Sequence, residues 1–362
     1  MQTPWAIDAD ITKAETLPGQ AYTDPRIFEQ SREKVFAASW QLLSDLGRVG
    51  APGAVCPTRF IDGWIEEPLL FTRDLEGGLH CVSNVCTHRG NLVCEQEGVE
   101  RALKCRYHGR RFRHDGGFVS MPEFEGVQAF PSRKDDLPRV AFGEWKNLLF
   151  ASLAPAQPFA ELIAFLQARV GWLPLENAKL DRARSRSYDI AANWALYCDN
   201  YLEGFHIPYV HAGLNRVIDY GDYRTELFDG GTLQIGTAKK AEHAFTLPRS
   251  SPDHGELVAA YYFWLFPNTM LNFYPWGLSV NRVKPRAVDR TTVEYLTYVW
   301  DATRLDQGAG SGLDQVEKED QEVVVSVQHG VRSRLYDRGR YSPTRETGLH
   351  HFHRMLTQSL NA

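Results

Sequence analysis

The sequence predicts an α+β chain of two domains, an antiparallel β domain followed by a larger mixed one. Three observations carry that expectation. The chain has 362 residues, enough for two domains at about 100 to 200 residues each. From about Trp40 to Leu153 it consists of short runs such as LLFTRD, FRHDGGFVSM and NLLFASL, separated by Gly, Pro and Asp clusters, which is the pattern of antiparallel strands. Past the linker-like APAQPFAE at 154–161, helical and strand patterns mix. The expected divisions are 1–39, 40–155 and 156–362.

In chain order, Asp24-Pro25 supplies an N-cap and a proline at the first helical position, after which Ile27, Phe28, Ser31, Val35 and Phe36 fall near one face. Helices are expected near Phe159 to Arg169 and Trp194 to His206, strands through Tyr261 to Val280 and Thr291 to Trp300, and a terminal helical region from Leu313. No internal repeat interrupts this order.

Hydrophobic residues make up 43% and charged residues 23%, so the chain can bury a core. A net charge of -5 leaves no basic excess for a phosphate backbone, which excludes nucleic acid as an expected partner. The opening MQTPWAIDADITK lacks a signal-peptide pattern. The apolar stretch Leu257 to Val280 carries Pro267, Asn268, Asn272 and Pro275, which suit sheet strands and not a bilayer. Six cysteines are too sparse for a disulfide scaffold. A cytoplasmic protein without membrane contact is expected.

The first chemical constellation is Cys86-Thr87-His88 and, 16 residues on, Cys105-Arg106-Tyr107-His108. Two thiolates and two imidazoles can hold zinc, but the same set ligates a Rieske [2Fe-2S] centre, in which two His replace two Cys on one iron. C-x-H and C-x-x-H on two loops let each loop give a thiolate to one iron and an imidazole to the other. Gly90 and Gly109 follow the two His, and the glycines are expected to free backbone N-H groups to bond the sulfurs. Gly116-Gly117 to Pro122 suggests a third, shielding turn. Cys56, Cys81, Cys94 and Cys198 match no ligand position and are expected in the core.

CTHRG and CRYHG resemble the Rieske domain of ring-hydroxylating oxygenases. Respiratory Rieske proteins add a disulfide between the loops, and the two positions it would need are Asn91 and Tyr107 here.

The second constellation lies in NWALYCDNYLEGFHIPYVH, residues 193–211. Helical spacing places Asp199, Glu203 and His206 on one face until Pro208, and makes Asp199 and Glu203 candidate catalytic carboxylates. His211 follows five residues after His206. A 2-His-1-carboxylate iron site needs one more acid. At about 100° per residue from Val316, the apolar residues Leu313, Val323, Val324, Val327 and Val331 fall between about -20° and +80°, and Asp320 falls near 40°. Glu317 and Glu319 lie at the margins of that stripe. A buried carboxylate is costly unless paired or bound to a cation. His206, His211 and Asp320 are therefore the candidate metal ligands.

DNYLEGFHIPYVH, EDQEVVVSVQHG and the closing YDRGRYSPTRETGLHHFH resemble the choline monooxygenase-like branch of Rieske oxygenase α subunits. The resemblance implies a Rieske domain at 40–155, a helix-grip catalytic domain at 156–362 and an N-terminal segment, 1–39, packed on the latter. It also implies a [2Fe-2S] cluster on Cys86, His88, Cys105 and His108, and mononuclear non-heme Fe(II) on His206, His211 and Asp320. Glu203 would bridge to the cluster of a neighbouring subunit in a head-to-tail homotrimer, because the two metals of one chain are too far apart for electron transfer. His350, His351 and His353 are assigned structural roles. No G-x-G-x-x-G opens a helix after a strand, so electrons are expected from a separate NAD(P)H-dependent reductase carrying flavin, iron-sulfur or both.

The expected activity is O2-dependent hydroxylation or N-demethylation of a small quaternary ammonium compound of the betaine, choline or carnitine type. Tyr197, Tyr201, Phe205, Tyr209, Tyr261, Phe263, Tyr274 and Trp276 offer rings for a cation, with more than half expected in the core. The alternatives are an aromatic acid paired with Arg216 or Arg282, and a Rieske electron carrier without oxygenase activity.

Overall fold

The computed structural model describes residues 5–362. Ala37–Phe159 forms one unit, and the N-terminal segment up to Phe36 joins Ala160–Ala362 in the other.

The first unit contains three small sheets. One orders Gln41–Asp45, Leu148–Ser152 and Ala141–Trp145. A second orders Leu79–Ser83, Ile65–Arg73, Ala54–Ile61 and Gly98–Val99. A third orders Leu103–Lys104, Arg111–Phe112 and Phe118–Ser120, and every pairing is antiparallel. Leu70, Val82, Leu103, Phe112 and Leu137 pack into one core that also takes in Cys86 and Cys105, so the apolar filling of the domain fixes the roots of both ligand loops.

The second unit is built on a seven-stranded antiparallel sheet. Its order is Lys179–Ile190, Arg290–Val299, Gly277–Ala287, Thr269–Tyr274, Val258–Leu265, Gly231–Ala238 and Ile218–Phe228. Thr269–Tyr274 is buried at every position, which is why this stretch reads as a nearly unbroken apolar run. Among the described residues no helix is long and apolar enough to cross a membrane.

Asp24 caps the helix Pro25–Ser31 as expected, accepting the Arg26 N-H at 2.8 Å, and the chain continues in wider turns through Arg32–Ala37. Phe36 is fully buried with its ring edge-on to Trp194, 4.8 Å between centroids. Thr16 and Gly19 donate backbone hydrogen bonds to the Gly339 and Asp337 carbonyls. Those carbonyls belong to the non-helical stretch that separates the helices Leu313–Gly330 and Thr347–Asn361.

Two helical expectations are corrected. The helix beginning at Trp194 ends at Tyr201 instead of running on to His206. A Cβ on Gly204 would lie 2.6 Å from the Tyr223 ring, so only glycine lets that ring approach, and the chain turns there before the short helix Ile207–Val210. The buried stripe of Leu313–Gly330 is also rotated from the expected one. Val324, Gln328 and Val331 are buried while Val327 is 42% exposed, because Gln328 Oε1 accepts the Asn193 backbone N-H at 2.7 Å across the helix packing. Asp320 remains on the inward side, within a lining that also includes Val316 and Glu317.

Candidate metal centres

The two cysteine loops have the same backbone construction. Cys86 N-H donates to the Asn91 carbonyl and Gly90 N-H to the Cys86 carbonyl, at 2.8 and 3.0 Å. Cys105 N-H to Arg110 and Gly109 N-H to Cys105 repeat this at 2.9 and 3.0 Å. Each loop turns through a glycine at positive φ, 72° at Gly90 and 76° at Gly109, a conformation costly for residues with a Cβ. The glycine N-H groups themselves bond cysteine carbonyls, and the backbone N-H that reaches the Cys86 sulfur is that of His88.

Both cysteines are buried, and His88 Nδ1 lies 3.1 Å from His108 Nδ1. Two thiols drawn inward and two imidazole nitrogens converging on one point fit a cluster whose one iron takes both His. Pro122 packs 3.5 Å from the position of a Gly109 Cβ, and the Phe124 ring stands edge-on to His88, centroids 5.5 Å apart. The turn after Gly116-Gly117 thus covers the loops. Cys56, Cys81 and Cys198 are buried, Cys94 packs on the domain core, and all six cysteines are free.

In the larger unit, His206, His211 and Asp320 present ligand atoms that all lie within 4.8 Å of one another. His206 Nε2 is 3.1 Å from His211 Nε2 and 3.5 Å from Asp320 Oδ1, and His211 Nε2 is 3.0 Å from that oxygen. Ligands at right angles on bonds of about 2.1 Å stand about 3 Å apart, so the triangle fits one face of an octahedral metal. Asn200 Nδ2 donates to Asp320 Oδ1 at 2.8 Å.

Each imidazole is backed by a carboxylate. His206 Nδ1 donates to Glu203 Oε1 at 2.6 Å, while Glu203 Oε2 accepts the Phe205 and His206 backbone N-H groups. His211 Nδ1 donates to Glu319 Oε2 at 2.8 Å. Such partners fix the tautomer that leaves Nε2 free for a metal. Sequence reasoning set Glu319 aside as marginal. Its signal was adjacency: Glu319 and Asp320, about 100° apart on the helix, reach the two ring nitrogens of one histidine.

Asp199 is not part of this set. Its carboxylate accepts His353 Nε2-H at 2.9 Å and the Tyr22 hydroxyl at 2.7 Å, and Tyr341 OH lies 2.6 Å from His353 Nδ1. With the helix ending at Tyr201, Asp199 and His206 no longer share a face. His350 and His351 bond the backbone carbonyls of Asp8 and Phe228.

A concave space opens beside the triangle. Tyr197, Tyr201 and Tyr274 line it as anticipated, and Tyr223 and Tyr262 join them unforeseen, brought in by neighbouring strands. Phe205 and Tyr209 are exposed, at 41% and 81%; Tyr261 and Phe263 are core, and Trp276 lines a second hollow that shares Leu313 and Glu317 with the first and has Arg184 and Arg186 on its wall. Among the described residues no Lys or Arg lines the space beside the triangle. Arg216 is exposed and Arg282 pairs with Glu294. Glu317, expected at a margin, is on the lining, and burial with the charge of Asp320 pushes its carboxyl up to about 7.

A family model of the Rieske [2Fe-2S] domain matches residues 48–131, and one of the ring hydroxylating alpha subunit catalytic domain matches 177–362. The chain is 30% identical to the chloroplastic choline monooxygenase of Arabidopsis thaliana over 97% of its length and 84% of that protein. It is 30% identical to the carnitine monooxygenase oxygenase subunit of Escherichia coli K12, over 97% and 95%. A crystal structure of a quaternary ammonium Rieske monooxygenase with L-carnitine superposes with a TM-score of 0.77 at 23% identity, covering 99% of each chain. Naphthalene 1,2-dioxygenase from a Rhodococcus gives 0.75 at 17%, covering 96% and 94%. The fold is thus the expected α+β pairing of a Rieske domain with a helix-grip catalytic domain, and its cofactors are a [2Fe-2S] cluster and a mononuclear non-heme iron. With both domains matched in order, and two relatives aligned along nearly its whole length, the chain belongs to the ring-hydroxylating α-subunit family of Rieske non-heme iron oxygenases.

Proposed function

We propose that this chain is the terminal oxygenase of a monooxygenase that hydroxylates or N-demethylates a small quaternary ammonium compound of the betaine, choline or carnitine type. One observation carries the substrate reading: the space beside His206, His211 and Asp320 is walled by tyrosines and lacks any Lys or Arg among its described lining. A permanent cation has no N-H to donate, so ring faces hold it where hydrogen bonds cannot. An aromatic acid, a net anion with no ammonium group, would meet no cationic partner there, whereas choline is a net cation and betaine and carnitine are zwitterions. The names of the choline and carnitine monooxygenase relatives agree with this choice.

In this reading Cys86 and Cys105 hold one iron of the cluster and His88 and His108 the other, while His206, His211 and Asp320 hold the mononuclear iron. The bound iron supplies reductive activation of dioxygen. Glu203 keeps His206 in its ligating tautomer and links it to the cluster of a neighbouring subunit in a homotrimer. Electrons come from a separate NAD(P)H-dependent reductase, and the protein works in the cytoplasm. Each turnover takes one O2, two electrons and two protons, places one oxygen in the substrate and releases the other as water. Hydroxylation of an N-methyl carbon gives a carbinol that collapses to formaldehyde and the demethylated amine.

The test supplies a surrogate reductase and NADH, and follows oxygen uptake, formaldehyde and product masses. Quaternary ammonium compounds should stimulate coupled turnover and aromatic acids should not. Turnover of the acids alone would overturn the substrate reading and leave the family standing.

A further inference from the structure

Three carboxylates line the space beside the histidine triangle among the described residues: Glu203, Glu317 and Asp320. Two are already engaged. Both oxygens of Glu203 are taken up by His206 and the backbone at Phe205, and Asp320 Oδ1 faces both histidines and accepts Asn200. Glu317 differs. Its Oε2 accepts the Tyr197 hydroxyl at 2.8 Å, and that hydroxyl lies 2.6 Å from Tyr295 OH. Two phenols hold the carboxylate in place, and no Lys, Arg or His forms an ion pair with it among the described residues.

We infer that Glu317 is the counter-ion that selects a cationic head group in this space, so that charge as well as aromatic shape decides what binds. The inference rests on the quaternary ammonium reading above and adds the residue that enforces it. A carboxylate with little water and no cation is costly, and a cation placed beside it offsets that cost. The rest of the lining is suited to a cation. Among the described residues Gln234 Oε1 and Asn200 Oδ1 are buried acceptors with no donor, and Tyr201, Tyr223, Tyr262 and Tyr274 supply oxygen atoms or ring faces. Position matters as well. Glu317 precedes Asp320 by three residues, about 4.5 Å along the helix axis. A nitrogen drawn to Glu317 would stand within one helical turn of the iron ligand Asp320, a separation that suits hydroxylation of a carbon attached to it.

The test compares choline with its neutral isostere 3,3-dimethylbutan-1-ol, by anaerobic titration calorimetry on reduced holoenzyme, with the zwitterions carnitine and glycine betaine as further trimethylammonium probes. In Glu317→Gln the ratio of choline to isostere affinity should fall by at least about tenfold, with the isostere itself bound as before and iron content unchanged. Glu317→Asp, which keeps the charge, should retain much of the preference. The ratio also guards against general damage, because a distorted cavity weakens both ligands together. An unchanged ratio, or equal weakening of both ligands, overturns the role of Glu317 while the quaternary ammonium reading stands. A wild-type protein that binds none of the three quaternary ammonium compounds removes that reading and this inference with it.

Discussion

The two candidate centres each bring two imidazoles together with anionic partners, but they use very different lengths of chain. The cluster set spans residues 86–108 on two loops whose hydrogen bonds close within five residues and repeat almost bond for bond. The mononuclear set spans residues 206–320 and depends on a turn at Gly204, a short helix at Ile207–Val210 and the rotation of the helix Leu313–Gly330. A loop that satisfies its own backbone groups holds its ligands with little outside help. A site assembled from distant helices needs supporting carboxylates, here Glu203 and Glu319, to aim its rings.

Removing one ligand from each set is the largest disturbance and tests whether the two centres are independent. Cys105→Ala should abolish the visible colour and the low-average-g EPR signal of the reduced cluster while mononuclear iron remains measurable by metal analysis. Asp320→Ala should do the reverse, keeping the cluster spectrum and losing mononuclear iron and turnover. A Cys105→Ala protein with an intact Rieske spectrum would sink the ligand assignment.

The next effect is smaller and concerns coupling. Glu203→Gln should keep both metals, because Gln preserves the shape of the contact to His206. On mixing reduced protein with oxygen and substrate, cluster reoxidation should slow by about 10- to 100-fold. Normal reoxidation would take Glu203 off the electron path.

The smallest expected effect sharpens the contrast between self-contained loops and an assembled site. Glu319→Ala leaves His211 without its Nδ1 acceptor. Mononuclear iron affinity should weaken by about tenfold, read by competition with a chelator, with no change in the cluster spectrum. Iron loss as complete as in Asp320→Ala would mean that the acid facing the metal had been chosen wrongly.

Some of this was legible in residue order and some was not. The spacing of Cys86, His88, Cys105 and His108 already names two short loops, because ligand geometry over so few residues is set by the local backbone. Asp24-Pro25 marked a helix start for the same reason, and the antiparallel strands followed from short apolar runs between turn residues. Helical phase also singled out Asp320, since a carboxylate inside an apolar stripe needs a partner wherever the helix packs.

Other features depended on contacts that no local pattern encodes. Whether Asp199 joins the histidines turned on where the helix from Trp194 stops, and it stops at Tyr201, three residues before the turn at Gly204 on which Tyr223 of the strand Ile218–Phe228 closes. The inward face of Leu313–Gly330 was set by Gln328 reaching the Asn193 backbone, a polar contact that outweighs the valine periodicity. Tyr223 and Tyr262 entered the lining through sheet pairing across Gly231–Ala238, which places side chains from separate strands on one face. Sequence by itself determined the ligand types and the loops that carry them, because those interactions are short in range. Tertiary packing alone decided that Glu319 backs His211 and which rings surround the substrate space, because helix termination and face are settled by the partner surface they meet.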